Sequence, residues 1–296
     1  MTRIDEQNDP VRIFTCMRTA AEEGLTPRVR YVNTDDGVSI TDFVEAIPLS
    51  RSEALVKLPE TLRKLHSLPP FPKTFNYVTA HNFFVWKLRK ASLLPNHEID
   101  EVFTQYEKLR AVYPRLDSDI VSSHMDLKPE NVLFDGQRVW LSGWKAAFLN
   151  DRYFDLAILA NFLVDDADER TYLERYFGHP PDNYQRARFF LMHQVLHMLS
   201  AAVFLMLGSQ GKPIRRGDSL PSFRDFHASV WAGEIDLADD DRKNVYGLIH
   251  WDQLLENVRT LRFPEALGIV AGRNAKQDDF CLLLPRAQFE SFIRSY

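Results

Sequence analysis

The run FFLMHQVLHMLSAAVFLMLG, residues 189–208, constrains the fold more than any other stretch of this chain. About 20 predominantly apolar residues suffice to cross a bilayer as a helix. His193, Gln194, His197 and Ser200 interrupt the run, and polar side chains are costly in hydrocarbon. The expectation is a buried core helix and not a membrane span, so other segments must wrap it. With 296 residues, 45% of them hydrophobic, the chain can supply that wrapping as one large domain or two modest ones.

Local signals place the other elements. Asp9-Pro10 reads as a helix start, a capping side chain followed by proline at the first helical position. The helix VRIFTCMRTAAEEG then runs to Gly24, a C-terminal stop. RVRYV (28–32) and VSITDFV (38–44) read as short strands joined by the turn-rich NTDDG. SEALVKLPETLRKLHSL (52–68) reads as helical, with a bend or restart at Pro59 and an end at PPFP. Residues 98–114 form another amphipathic helix. From 121 the pattern is a short strand, a polar loop, VLFD, the turn DGQR and VWLS, and helices dominate from about 154 to 207. GSQGKPIRRGDSLPS (208–222) reads as a linker, followed by helical segments centred on DLADDDRKNVYGLIHWDQLLENVRTL.

The net charge is −5 with both signs mixed along the chain, so the basic footprint of a nucleic-acid partner is missing. Cys16 and Cys281 are far apart and without partners at metal-ligand spacing. That argues against a disulfide framework or a zinc site and fits a cytoplasmic setting. The start, MTRIDEQNDP, has no apolar segment of the secretory kind.

The chemistry concentrates in VSSHMDLKPENVLFDGQRVWLSGWKAA, residues 121–147. Phosphoryl transfer from ATP needs a carboxylate near the attacking hydroxyl, oxygen ligands for magnesium and a cation to steady the phosphates. His124-x-Asp126 followed by Asn131 has the spacing of a catalytic-loop acid and a metal-facing amide. Lys128 lies between them and can steady phosphate charge. The competing reading is a capping Asp and a turn-forming Asn in an ordinary loop. The flanking strand-like pieces VSS and VLF favour the functional reading, because they hold such a loop rigidly.

Four stretches then resemble one family: GLTPRVRYV with ITDFVEAIPL, LRKLHSLPPFP, SHMDLKPENVLFDG and NDRYFDLAILANF. In this order they are similar to the choline kinase and aminoglycoside phosphotransferase group. The resemblance implies an α+β, two-lobed protein-kinase-like fold, with a reduced N-lobe sheet and a mainly helical C-lobe. It implies ATP and Mg2+ as cofactors and a small-molecule hydroxyl substrate on an amine or sugar. Asp126 would be the catalytic base, His124 a loop-ordering residue, Asn131 a magnesium ligand, and Asp155 the residue that pins the loop through its backbone. Adenine would stack against ITDFVEAI, its edge read by the backbone near Phe43, Val44 and Glu45. The implied division is an N-lobe and hinge over 1–48, a C-lobe over 49–207 and a helical extension over 208–296.

Three departures accompany the match. Where the family has Asp-Trp-Glu, this chain has Gly143-Trp144-Lys145, so the expected second magnesium carboxylate is replaced at Gly143. Arg3 stands where the phosphate-binding cation is expected, with the chain read as starting inside the N-lobe. Arg12 and Ile13 occupy the place of that cation's glutamate partner. These changes leave two readings open: an impaired small-molecule kinase, or a pseudokinase that serves as a binding module with a possible protein partner. Asp135 reads as turn chemistry, and Asp151 could replace the missing ligand only by folding back.

His193 and His197 stand four apart on one helical face, but no third metal ligand accompanies them. They read as packed or pocket-lining histidines. DDADE (165–169) reads as a solvated helix start, with reception of a cationic substrate as the alternative. The five tryptophans are spread along the chain and read as core.

Overall fold

The computed structural model describes residues 9–72, 77–114, 116–214 and 220–274. Arg3 and Cys281 lie outside them. Helix α1 (Pro10–Glu22) starts as expected, the Asp9 carboxylate accepting the Val11 N–H at 3.0 Å. A two-stranded antiparallel ribbon follows, β1 (Val29–Asn33) and β2 (Val38–Thr41). The second strand stops three residues earlier than its sequence pattern predicts, and 42–50 runs as an irregular connector. Helix α2 (Arg51–Leu65) carries Pro59 inside it, and α3 (Tyr77–Lys90) and α4 (Asn96–Val112) follow.

Two small antiparallel ribbons come next. β3 (Ile120–Ser123) pairs with β6 (Phe148–Asp151), and β4 (Val132–Phe134) pairs with β5 (Val139–Leu141). The β4–β5 turn is built by Asp135, whose Oδ1 accepts the backbone N–H groups of Gln137 and Arg138, while Oδ2 accepts the Trp140 indole N–H. These three donors, Arg138 foremost, bring its carboxyl down to about 2, so the turn-chemistry reading holds.

Helices α5 (Arg152–Leu163), α6 (Glu169–Phe177), α7 (Asn183–Gly208), α8 (Phe223–Trp231), α9 (Asp240–Arg259) and α10 (Arg262–Asn274) complete the described chain. The 26-residue α7 is long and apolar enough to cross a membrane, yet it packs along α9 and against α3, α5 and α10. Its Arg188, Gln194 and His197 are buried. It is therefore a core helix, opened by a reciprocal Asp182–Gln185 cap. Helices α9 and α10 share one apolar core with α4 and α7, through Leu205, Leu248, Trp251 and Phe263. At the α7–α9 crossing, a Cβ built on Gly247 would lie 2.7 Å from Leu205 Cγ and 3.0 Å from its backbone nitrogen.

The acidic cluster differs from its sequence reading. Asp165 and Asp168 both accept from Arg51, at 2.7 and 2.6 Å. Glu169 is buried and paired with Arg186 and Arg262. The segment bridges α2, α7 and α10, so tertiary pairing and not solvation fixes it.

His193 and His197 belong to a chain of four imidazoles with His250 and His227. Their successive ring separations are 6.0, 5.1 and 5.2 Å. Nδ1 of His197 and of His250 are 2.9 Å apart. His227 donates through Nδ1 to the Phe223 carbonyl at 2.7 Å. Burial pushes His193 down to about 3 and His227 to about 4, and depresses His197 and His250 as well. Among the described residues no group of three or more His, Cys, Asp or Glu is arranged to hold a metal ion.

Two expectations follow. Gly247→Ala should lower the denaturation midpoint, since overpacking costs about 1–3 kcal/mol, more than the ~1 kcal/mol of helix propensity gained. The histidines protonate near 6.5 in the unfolded chain but stay neutral when folded, so unfolding takes up protons below that pH. Stability should be full above pH 6.5 and fall towards pH 4, by about 1.4 kcal/mol per pH unit for each such histidine. Urea melts at pH 7, 6 and 5 measure this, and equal stability at all three would contradict it.

Candidate active site

The strand β3 ends at Ser123 and delivers a loop whose conformation is unusual. Met125 has φ +69°, a left-handed backbone that costs a non-glycine residue about 1–3 kcal/mol unless its surroundings impose it. Asp155, on the first turn of α5, imposes it. Its Oδ2 accepts the His124 N–H and its Oδ1 the Met125 N–H, both at 2.8 Å. The carboxylate is fully buried. Burial alone would raise its pKa, but the His66 hydrogen bond, neighbouring charge and the backbone donor hold it below the ordinary carboxylate range.

His66 donates through Nε2 to Asp155 Oδ2 at 3.1 Å, and its Nδ1 lies 2.7 Å from Tyr176 Oη. This positioning residue escaped the sequence reading, although it lies inside the LRKLHSLPPFP stretch. A lone histidine at a helix end carries no signal of its own. His124 is also buried, and burial lowers its pKa. Its Nε2 donates to the Ser142 carbonyl at 2.7 Å, and its Nδ1 accepts the Asp126 N–H at 3.3 Å. The imidazole is thus a neutral strut between β5 and the loop, with the Trp144 ring 4.7 Å away.

Asp126 follows with its side chain 44% exposed and Lys128 Nζ at 3.7 Å. Asn131 donates through Nδ2 to the Asp126 carbonyl at 2.7 Å and to Asp126 Oδ2 at 2.9 Å. The β4–β5 register opposes Val132 to Leu141, and the Ser142 N–H donates to the Asn131 carbonyl at 3.0 Å. Gly143 therefore comes directly beside the Asn131 side chain. Its φ is +75°, and a Cβ built there would lie 2.5 Å from Asn131 Cγ, 2.7 Å from Nδ2 and closer still to Oδ1. Beyond it, the segment is held by Arg12, whose guanidinium donates to the Lys145 and Ala147 carbonyls at 2.8 and 2.5 Å.

The structure thus gathers His124, Asp126, Lys128, Asn131 and Gly143. Phe43, Val44 and Glu45 lie in the connector after β2, which joins the same ribbon through the Ile47 N–H and Phe134 carbonyl at 2.7 Å. Phe43 is 91% exposed. Asp151 is committed elsewhere: it caps α5 at Tyr153 and pairs with buried Arg188 at 2.7 Å, so it does not fold back as a ligand. Mg2+ takes an octahedral shell of oxygens, typically one or two carboxylates with phosphates and waters. Here Asn131 gives its N–H2 group to Asp126, which leaves its Oδ1 on the side of position 143, where Gly143 offers no side-chain oxygen; the set is short of one carboxylate.

A cavity of about 790 Å3 lies apart from these residues, lined among others by Asn161, Asp165, Glu169, His193, Gln194 and Arg224. Between them stands Tyr246, its ring 4.5 Å from that of His250. Burial, then the Glu130 and Asp126 charges, push the Tyr246 pKa up.

Asp155→Asn should lose the charge-assisted bonds to the loop, worth about 1.5–3 kcal/mol each, and release the left-handed Met125. The expected outcome is a lower denaturation midpoint together with faster amide exchange at His124 and Met125, measured by hydrogen–deuterium exchange. Unchanged exchange there would show that the loop holds its shape without Asp155.

The phosphotransferase enzyme family model (APH) matches residues 5–190. Protein LicA of Haemophilus influenzae is 24% identical over 189 residues, covering 60% of this chain and 54% of that protein. The chain thus aligns with about half the length of that curated relative. A choline/ethanolamine kinase family protein from Mesorhizobium loti superposes with TM-score 0.67 at 18% identity, over 89% of this chain and 84% of that one. The choline kinase LicA from Streptococcus pneumoniae gives 0.54 at 17%, over 84% and 80%. The fold is accordingly the α+β, two-lobed, kinase-like one that the resemblance implied, and the chain belongs to the APH phosphotransferase enzyme family.

Proposed function

We propose that this chain transfers the γ-phosphoryl group of ATP to a hydroxyl of a small amine or sugar. The observation that carries the reading is the double backbone clamp of Asp155 on His124 and Met125, which presents the half-exposed Asp126 carboxylate at a fixed place. An acceptor hydroxyl within hydrogen-bond reach of Asp126 gives up its proton to that carboxylate. Its oxygen bonds to phosphorus as the bond to the ADP oxygen breaks, and the proton stays on Asp126. Lys128, 3.7 Å from Asp126, offers positive charge to the phosphates. The kinase names of the similar structures support a small hydroxyl acceptor, and the nucleotide would lie along the connector at Phe43–Glu45.

A second reading, a nucleotide-binding module with little turnover, is favoured by the absence of a side-chain oxygen at Gly143. One experiment separates the two. ATP consumption with choline, ethanolamine and amino sugars is measured for the parent chain and for Asp126→Asn. A kinase shows acceptor-dependent ADP release that falls about 10²–10⁴-fold in the variant. Equal background rates in both, with ATP still bound, leave the module reading.

A further inference from the structure

The 790 Å3 cavity takes none of its lining from Asp126, Lys128 or Asn131. Its volume falls within the range of small-molecule sites, about 300–1,000 Å3. Four helices enclose it: α5 through Asn161, α7 through His193 and Gln194, α8 through Arg224, and α9 through Gln253 and Asn257. On the α9 side the amides satisfy one another. Gln253 donates to Asn257 at 3.1 Å, Asn257 to Gln194 at 3.1 Å, and Gln194 to the Phe190 carbonyl at 2.8 Å. The α5 side is open. Asn161 is only 4% exposed, yet its carboxamide has no hydrogen-bond partner among the described residues. His193 Nε2 and Arg224 Nη1 are unpaired as well. Buried polar groups are normally hydrogen-bonded, and groups in a cavity wall are completed by what fills the cavity.

The surrounding charges decide the class of ligand. Asp165 pairs with Arg51 and Arg224, and Glu169 with Arg186 and Arg262, so the arginines that could grip an anion are engaged. Asp166 and Glu256 also line the cavity and are exposed. A phosphate or carboxylate there would meet like charge. The open groups are an amide that donates and accepts, an imidazole nitrogen and a guanidinium N–H. Burial, foremost, holds that imidazole neutral. Hydroxyls match each of these groups, because a hydroxyl both donates and accepts. Phe189, Phe190 and Phe223 add apolar surface. The geometry points to a second ligand site in this cavity, separate from the transfer site, for an uncharged polyol of sugar size anchored by Asn161.

Saturation-transfer NMR and calorimetry on the full chain test this without ATP, so the outcome is independent of the proposed phosphoryl transfer. The probes are glucose, N-acetylglucosamine and myo-inositol, each beside its monophosphate. At least one neutral probe is expected to bind, about tenfold or more tighter than its monophosphate. Asn161→Ala should weaken it about tenfold, the loss of one well-made hydrogen-bonding group. Ala167→Trp, at an exposed position of the lining, should block the cavity without disturbing a buried group. Asp126→Asn should leave the affinity unchanged. Failure of all neutral probes to bind overturns the site, as does binding that survives both cavity variants. Monophosphates that bind as tightly overturn the uncharged class. Loss of binding in Asp126→Asn overturns the separation from the transfer site.

Discussion

The buried carboxylate of Asp155 is the interaction on which the rest of the site depends. It joins four elements: the α5 start, the loop after β3, the end of α2 through His66, and α6 through the Tyr176 hydroxyl. A charge removed from water is tolerated only when its lone pairs are filled. Here they are filled by backbone amides whose geometry a loop could not otherwise keep. The cost of Met125's left-handed backbone is met at that point, and Asp126 inherits a defined position from it. Because the clamp works through main-chain groups, it fixes the loop irrespective of which side chains follow.

The second layer of organisation is the pairing of two short ribbons. β3–β6 sets the start of the loop and β4–β5 its end, so three- and four-residue strands determine which side chains face each other across the site. Arg188, buried and paired with Asp119 and Asp151, ties β6 to α7. Through it, the long core helix and the β3–β6 ribbon form one mechanical unit. Helix α9 closes the other side, bringing Tyr246 into the field of Asp126.

Much of this was legible in the chain itself, and the reasons differ by residue. The Asp9 cap, the Asp135 turn and the burial of the 189–208 run follow from local chemistry, which travels with the sequence. Helix α3 was missed because YVTAHNFFVWKLRK is rich in aromatic and β-branched residues whose preference is strand-like. Strand β6 was missed because four residues carry too little alternation to register. DDADE read as solvent-facing because its arginine partners lie outside its own helix turn, from 17 residues away for Arg186–Glu169 to 117 for Arg51–Asp168. The Asp126–Asn131 spacing was visible, but the meeting of Asn131 with Gly143 was not. It depends on strand register and on a positive φ, neither of which is written in residue types.

That meeting also governs the order in which the chain can change. An aspartate at 143 would need a different Asn131 rotamer and would carry the strain of a left-handed backbone, so a change at 143 draws a change at 131 with it.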